Sequence, residues 1–600
     1  MASHSMRSIP EIITSLAFDP YERQNYLFFR LLGSKNYHSQ QYKTALFLYR
    51  QSFFILASAA KKSLLAVSQD LHRVARTFRR LQDYSPALKI YSDLIRVFET
   101  RNYLTEEYIS AVRQSVETYW ENGFSNQAFS FLKDKQNQMA KNTSFPIELK
   151  IALIHFEAEC YGWLADIAGA EQAFQNASAA IKMAQNGTKQ LERSLLWHRG
   201  FIRKDLGDYQ GALSDWSLLL DDYRVSSNLK AECRLLPSIG FLQRILGNFQ
   251  ESLCSYTQGL ELAKEIQWEE NSSQSSFEAF VVNNIGIVHT ALGNFSEATA
   301  AYRSSLKISE TTENHESKAY ALGGFGWLSF EQGDFMRAKE YYESSIDIFQ
   351  QLNKDPPPPV LISLSEVEMR LSRPGWKERA FSLISQAEGI AERTTSEVNK
   401  VRAKLGRAAI TARDGHDERA LQLCNEAHKL SQQIGFFEGK ATSQLLGARI
   451  CLENLEAPES NDGPHQARNA LKFLQKTKIY AEAADAVVLL LEAMGAESAV
   501  REALEDFSTA LDIQKNASDL AKSTGLPYAR YQTEIERLET YHRVSYIYRS
   551  VKRGSQEEVP PLRMKDALDY LQGAFRILKA YSAPHSEDRS RKDRKRHSIS

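Results

Sequence analysis

An all-α solenoid of tandem helix pairs is the fold this sequence predicts, and two observations predict it. A small–small–aromatic pattern recurs about every forty residues along most of the chain. The length of 600 residues also suits an array that grows in one direction, with 43% apolar and 25% charged residues, as in ordinary folded proteins. No apolar run approaches the roughly 18 residues of a membrane-spanning helix.

The pattern is clearest at residues 283–306, NNIGIVHTALGNFSEATAAYRSSL, where Gly286 precedes Ala298 by 12 residues and Tyr302 follows by four. The same set returns as Gly200, Ala212 and Trp216, as Gly240, Ser252 and Tyr256, and as Gly326, Ala338 and Tyr342. Further anchors at Ala45, Ala87, Ala128, Ala173, Ala380 and Ala420 complete a series spaced 42, 41, 45, 39, 40, 46, 40, 42 and 40. Units are also expected about Ala467, Ala503 and Ala567, with irregular spacing. The physical reading is two antiparallel helices that cross at a small residue on each. The aromatic one turn after the second small residue fills the gap beside the crossing. A tight Gly-Asn or Gly-Asp step makes the turn between them. Two units depart from this. Tyr161 replaces the glycine and Ala177 the aromatic at 150–187, and Glu368 replaces the glycine at 360–390.

These residues resemble the tetratricopeptide repeat, strongly at 195–350, fairly at 26–135 and weakly at 360–450. The period near 40 is similar to the longer-helix type of kinesin light chains and of polarity adaptors rich in Leu-Gly-Asn repeats. The paired Asn283-Asn284 before Gly286 adds to that likeness in one repeat. The resemblance implies a right-handed superhelix whose first helices line a concave face where partners bind.

The segment KDPPPPV at 354–360 ends a helix before Pro356 and reads as a stiff loop between stacked repeats, or else as a hinge. The resulting division is an N-terminal segment at 1–25 and a solenoid at 26–353, with about eight repeats by spacing. The proline break at 354–360, divergent repeats at 361–454 and a loop at 455–465 follow. A helical region at 466–580 contains a loop at 553–562, and a basic tail occupies 582–600. That tail is expected to be disordered, because it carries almost no apolar residue. It holds Arg589, Arg591, Lys592, Arg594, Lys595 and Arg596 against Asp593, a pattern open to nuclear import or to plain solvation. Arg596-His597-Ser598 makes Ser598 a candidate phosphosite.

Charge balance argues against nucleic acid as a partner: Lys plus Arg and Asp plus Glu are 74 each. Cys160, Cys233, Cys254, Cys424 and Cys451 are scattered and contain no CxxC pair, so reduced thiols in a cytoplasmic setting are expected. The N-terminal residues contain no secretory signal pattern, and Asn142-Thr-Ser and Asn186-Gly-Thr are therefore not expected to carry glycans. No phosphate-binding loop, nucleophile elbow, HExxH or EF-hand pattern occurs, and neither an enzyme nor a cofactor or metal is expected.

Carrying the concave positions over by resemblance assigns a partner-binding surface. Those positions lie three before, one after and four after the first small residue. They give Trp197, Phe201 and Lys204, then Phe241 and Arg244, Asn283, and Trp327 with Phe330. Earlier units add His72, Arg76, Arg79, Arg113 and Trp120, with Glu117 among few acids. An aromatic and basic lining fits a protein or peptide ligand with apolar anchors and acidic or phosphorylated groups. The expected function is a non-catalytic interaction scaffold that takes a partner segment in its groove. Alternatives are a structural subunit of a large assembly and a peptide-responsive signalling receptor.

Overall fold

The computed structural model describes residues 30–34, 36–37, 41–58, 64–141, 145–164, 166–183, 188–268, 271–394, 396–455, 463–523, 534–535 and 538–539. The expectations for residues 1–25, 553–562 and 582–600, for Ala567, for Ser598 and for the two sequons lie outside them. Among the described residues every regular element is helical. The chain divides into two compact units, Met1–Ile202 and Arg203–Ser600.

The first unit contains α1 (Tyr42–Ser58), α2 (Leu64–Arg80), α3 (Tyr84–Thr100), α4 (Glu106–Glu121), α5 (Ser125–Lys141), α6 (Ile147–Trp163) and α7 (Ile167–Met183). The division falls within α8 (Thr188–Asp205). The second unit continues with α9 (Tyr209–Val225), α10 (Leu229–Leu246), α11 (Phe249–Glu265), α12 (Asn271–Leu292), α13 (Phe295–Thr311), α14 (His315–Glu331) and α15 (Phe335–Gln351). Then come α16 (Pro358–Leu371), α17 (Trp376–Arg393), α18 (Glu397–Arg413), α19 (Asp417–Gln433), α20 (Phe437–Leu455), α21 (Gly463–Ala483), α22 (Val487–Ala503) and α23 (Phe507–Ser523).

The pairs form because small residues let two helices touch. Ala45, Ala87, Ala128, Ala212, Ser252, Ala298, Ala338, Ala380 and Ala420 are all fully buried. At the α10–α11 crossing the approach is close enough for Ser252 Oγ to donate to the carbonyl of Gly240 at 2.7 Å. A second crossing, nearer the other end of each pair, is fastened in the same way. Ser305 Oγ donates to Ala279 O at 2.9 Å, and Ser345 Oγ to Ala319 O at 2.7 Å. The aromatic lies over the glycine rather than beside it: a Cβ at Gly286 would stand 2.6 Å from the Tyr302 ring, and one at Gly326 2.6 Å from Tyr342. Turns after the first helices use the left-handed region, with Gly207 at φ +82° and Gly333 at +79°, where a β-carbon is strained. Asp208 and Asp334 then cap the next helix by accepting from the Gly211 and Arg337 amides.

The departures have local compensations. Tyr161 takes the space that Gly169 opens, since a Cβ there would meet the ring at 2.4 Å, and its ring also packs on Phe129 at 4.9 Å. The unit expected about Ala503 centres instead on the buried Ala510, whose carbonyl accepts from Ser498 Oγ at 3.1 Å. The four prolines do not part the core. Pro357 is the N-cap of α16, and Ala338, Tyr342 and Ile346 before the break pack in one cluster with Val360, Leu361 and Leu364 after it.

Glu368 is buried on α16 and is held from both sides. Lys339 Nζ approaches Oε1 at 2.5 Å, and Arg379 Nη2 approaches Oε2 at 2.7 Å. Burial opposes its charge, yet the Lys339 and Arg379 hydrogen bonds prevail and hold the carboxyl below its ordinary pKa. A depressed carboxylate pKa stabilises the fold above the unfolded-state value, and that contribution is lost as pH falls through the folded one. Glu368→Gln is therefore expected to destabilise the protein by about 1.5–3 kcal/mol at neutral pH. In urea titrations the gap between variant and parent should shrink as pH drops below about 4. A gap independent of pH would mean that the charge does not act.

Candidate partner-binding face

In the first unit Arg79, Arg113 and Trp120, predicted to face a partner, are engaged by side chains of the next first helix. Arg79 on α2 forks onto Glu121 of α4 at 3.0 and 2.7 Å, while Nη1 donates to Gln114 at 2.6 Å and Glu117 at 3.0 Å. Burial opposes the charge on Arg79, but the Glu121 hydrogen bond and carboxylate outweigh it and raise its pKa. Arg113 reaches from α4 to Glu159 of α6 at 2.9 Å and lies 4.7 Å over the Phe156 ring. Trp120 packs on Trp163 at 5.1 Å. Arg76 is exposed, and with Arg73 it adds to burial in lowering His72 to about 4. His155 stacks on His198 at 5.1 Å and is pushed down to about 3 by burial, by His198 and by Arg113. Trp197 and Phe201 meet edge to face at 5.0 Å.

In the second unit two of the first helices meet later repeats across the inner face. α10 touches α20, and α12 touches α22, so the later repeats close against the inner face of the earlier ones. Phe249 meets Phe437 edge to face at 5.6 Å, and a Cβ at Gly247 would stand 2.8 Å from that Phe437 ring. Further along, Ile287, Phe325 and Leu328 share a cluster with Val487, Val488 and Leu491 of α22 and Leu520 of α23. Asn283 is buried and its Oδ1 has no hydrogen-bond partner among the described residues. Trp327 donates its indole N–H to Glu331 at 2.8 Å, and Phe330 packs on Phe335 at 5.4 Å. Lys204 pairs with its neighbour Asp205 at 2.9 Å.

What remains accessible between these surfaces is charged. Arg402 of α18 grips Glu438 of α20 with two hydrogen bonds, at 3.0 and 2.5 Å. Arg244 of α10 stands close by, 5.3 Å from the Phe241 ring, and its Nε is buried without a hydrogen-bond partner. Burial lowers the pKa of Arg244. Burial opposes the charge on Arg402 too, but Glu438 raises its pKa; Glu438 in turn is held below the carboxylate range by Arg402 and Arg244 against burial. Glu438 exposes 50% of its side chain, so this ion pair is open to solvent. A second cluster centres on Arg449, 3.4 Å from Glu492 and within electrostatic reach of Glu366 and Glu331.

Arg402, Glu438, Arg449 and Glu492 have no counterpart in the sequence-based set. Arg402 stands six residues before Ala408, which is itself 12 before Ala420, so a further inner position marks it. That position is not among the three read from the resemblance. In the α20 pair the small residue Gly447 stands 20 before Ala467 rather than 12, which hides the register. Among the described residues no group of three or more His, Cys, Asp or Glu side chains could hold a metal, and no helix is long and apolar enough to cross a membrane.

Residues 278–351 match the tetratricopeptide repeat family model, the stretch that holds α13, α14, α15 and most of α12. No curated protein matches the chain. Among solved structures it is similar to the APC/C hetero-tetramer Cut9-Hcn1, at 14% identity over 94% of this chain and 98% of that one, with a TM-score of 0.42. The Rap protein complexed with competence and sporulation factor is similar at 13% identity over 63% and 99%, TM-score 0.42. Yeast Tom70 is similar at 11% identity over 87% and 97%, TM-score 0.30. Over residues 278–351 the helix pairs are thus those of the tetratricopeptide repeat.

Proposed function

We propose that this chain is a non-catalytic protein-interaction scaffold whose second unit receives an extended segment of a partner along its inner face. The observation that carries the reading is the wetted, charged lining between α10, α18, α20 and α22, bordered by Phe241 and Trp327. Apolar residues supply the packing of a repeat array, and beyond the Arg402–Glu438 pair that joins α18 to α20 these charges add nothing evident to it. The closure of later repeats on earlier ones admits a narrow extended chain more readily than a helix, whose diameter with side chains is about 10–12 Å.

A photo-crosslinking amino acid placed at Phe241 or at Trp327 in source cells tests this. Adducts from those positions to one segment of a partner protein are the expected result. The control positions are Leu218 and Val225 on α9, 57% and 83% exposed, which make an apolar outer ridge. Adducts from the ridge alone would replace the scaffold reading with that of a structural subunit held by its outer surface.

A further inference from the structure

Resting on that reading, we propose that Arg244, with Arg402 behind it and Phe241 beside it, forms a subsite for a single oxyanion carried by an extended peptide, a side-chain carboxylate or a phosphate. The first ground is charge. Two guanidinium groups share one carboxylate, Glu438, and Arg402 already takes both of its oxygens. Glu397 lies nearer Tyr209 and is paired with Lys400 at 2.6 Å. Among the described residues no carboxylate forms an ion pair with Arg244, whose charge burial disfavours.

The second ground is the unmet hydrogen-bonding capacity. A guanidinium carries five N–H donors in a planar fork suited to carboxylate or phosphate oxygens, and the Nε of Arg244 is enclosed without an acceptor. Two tyrosine hydroxyls, those of Tyr256 and Tyr302, lie within electrostatic reach of it. Phe241, lying against the guanidinium, fixes the plane of the fork and offers an apolar shelf for the chain that carries the oxyanion.

The third ground limits the ligand to one negative group at this point. Further along the same inner face Tyr342 looks onto Glu331 and Glu366, which with Glu492 outnumber Arg449. A run of phosphates, as in a nucleic acid strand, would meet that acidic stretch and be repelled. A short segment with one acidic or phosphorylated residue, followed by neutral or basic ones, matches both ends.

The test uses the full chain in solution with three fluorescein-labelled heptapeptide pools, degenerate except for a central Glu, phosphoserine or Gln, read by fluorescence anisotropy. The Glu or the phosphoserine pool is expected to bind at least tenfold tighter than the Gln pool, and the tighter of the two names the source of the oxyanion. Arg244→Met should bring all three within about twofold of one another. It should also keep or raise the melting temperature, because a positive charge facing Arg402 is removed. Arg244→Gln repeats the test should the methionine variant lose its helical circular dichroism.

Equal binding of the three pools to the intact chain, or a preference that survives loss of Arg244, would overturn the subsite. Crosslinks from Phe241 and Trp327 without any oxyanion preference would leave the scaffold reading standing and remove this one. An Arg244-dependent preference without such crosslinks would keep the subsite and remove the partner-protein reading.

Discussion

Gly286→Ala is expected to cost about 1–3 kcal/mol, and Gly286→Leu enough to melt the central repeats, because Tyr302 has nowhere to go. The added Cβ would lie 2.6 Å from the ring on one side, while on the other a Cβ at Gly324 would lie 2.3 Å from the same ring. The Tyr302 hydroxyl is also 3.1 Å from Thr290 Oγ1, so neither rotation nor retreat is free. Gly324→Ala should therefore match Gly286→Ala, since both press on one tyrosine from neighbouring repeats. Gly495 supplies the contrast: it sits within α22 with open space where a Cβ would go. Gly495→Ala should stabilise by about 0.5–1 kcal/mol through lost unfolded-state freedom alone. Urea unfolding of the three alanine variants decides the matter, and a Gly286→Ala protein as stable as the parent would sink the wedge account.

Phe437→Ala is expected to cost about 3–5 kcal/mol and to act at two places far apart in the sequence. The side chain is buried where α20 meets the α10–α11 turn, against Phe249 and over Gly247. Removing it opens a cavity at the point where the second unit closes on itself. Hydrogen exchange should rise in α20 and, together with it, in the facing ends of α10 and α11. Faster exchange in α20 alone would show that the closure contributes little.

The helix pairs were legible in the sequence because they depend on local spacing. Gly240, Gly286 and Gly326, each followed at 12 residues by Ser252, Ala298 or Ala338, carry the crossing wherever they stand. The bond of Ser305 to Ala279 was not legible, since it needs the second crossing, which that spacing does not mark. The closure of the second unit was hidden for a different reason. Phe437 and Phe249, or Leu491 and Leu328, are each plain core residues on their own helices, and nothing periodic says that they meet. The same holds for the lining. Arg244 is among the positions carried over by resemblance, but its neighbours Arg402 and Glu438 come from repeats whose glycine has moved or gone. Arg79 illustrates the opposite error of local reading, an arginine at a binding position that is spent on Glu121 and Glu117.

The contact of α22 with the inner face of the middle repeats also sets a schedule for synthesis. Val487 leaves the ribosome 200 residues after Ile287, whose apolar surface it helps to cover. At translation rates of about 5–20 residues per second, that face stays uncovered for roughly 10–40 s in every nascent chain. Neighbouring repeats can stack during that interval, but Ile287, Phe325 and Leu328 present an incomplete surface until the last helices arrive. The newborn chain is thus a client for chaperones that bind exposed apolar surface, and a chain truncated before α22 would carry that exposure permanently.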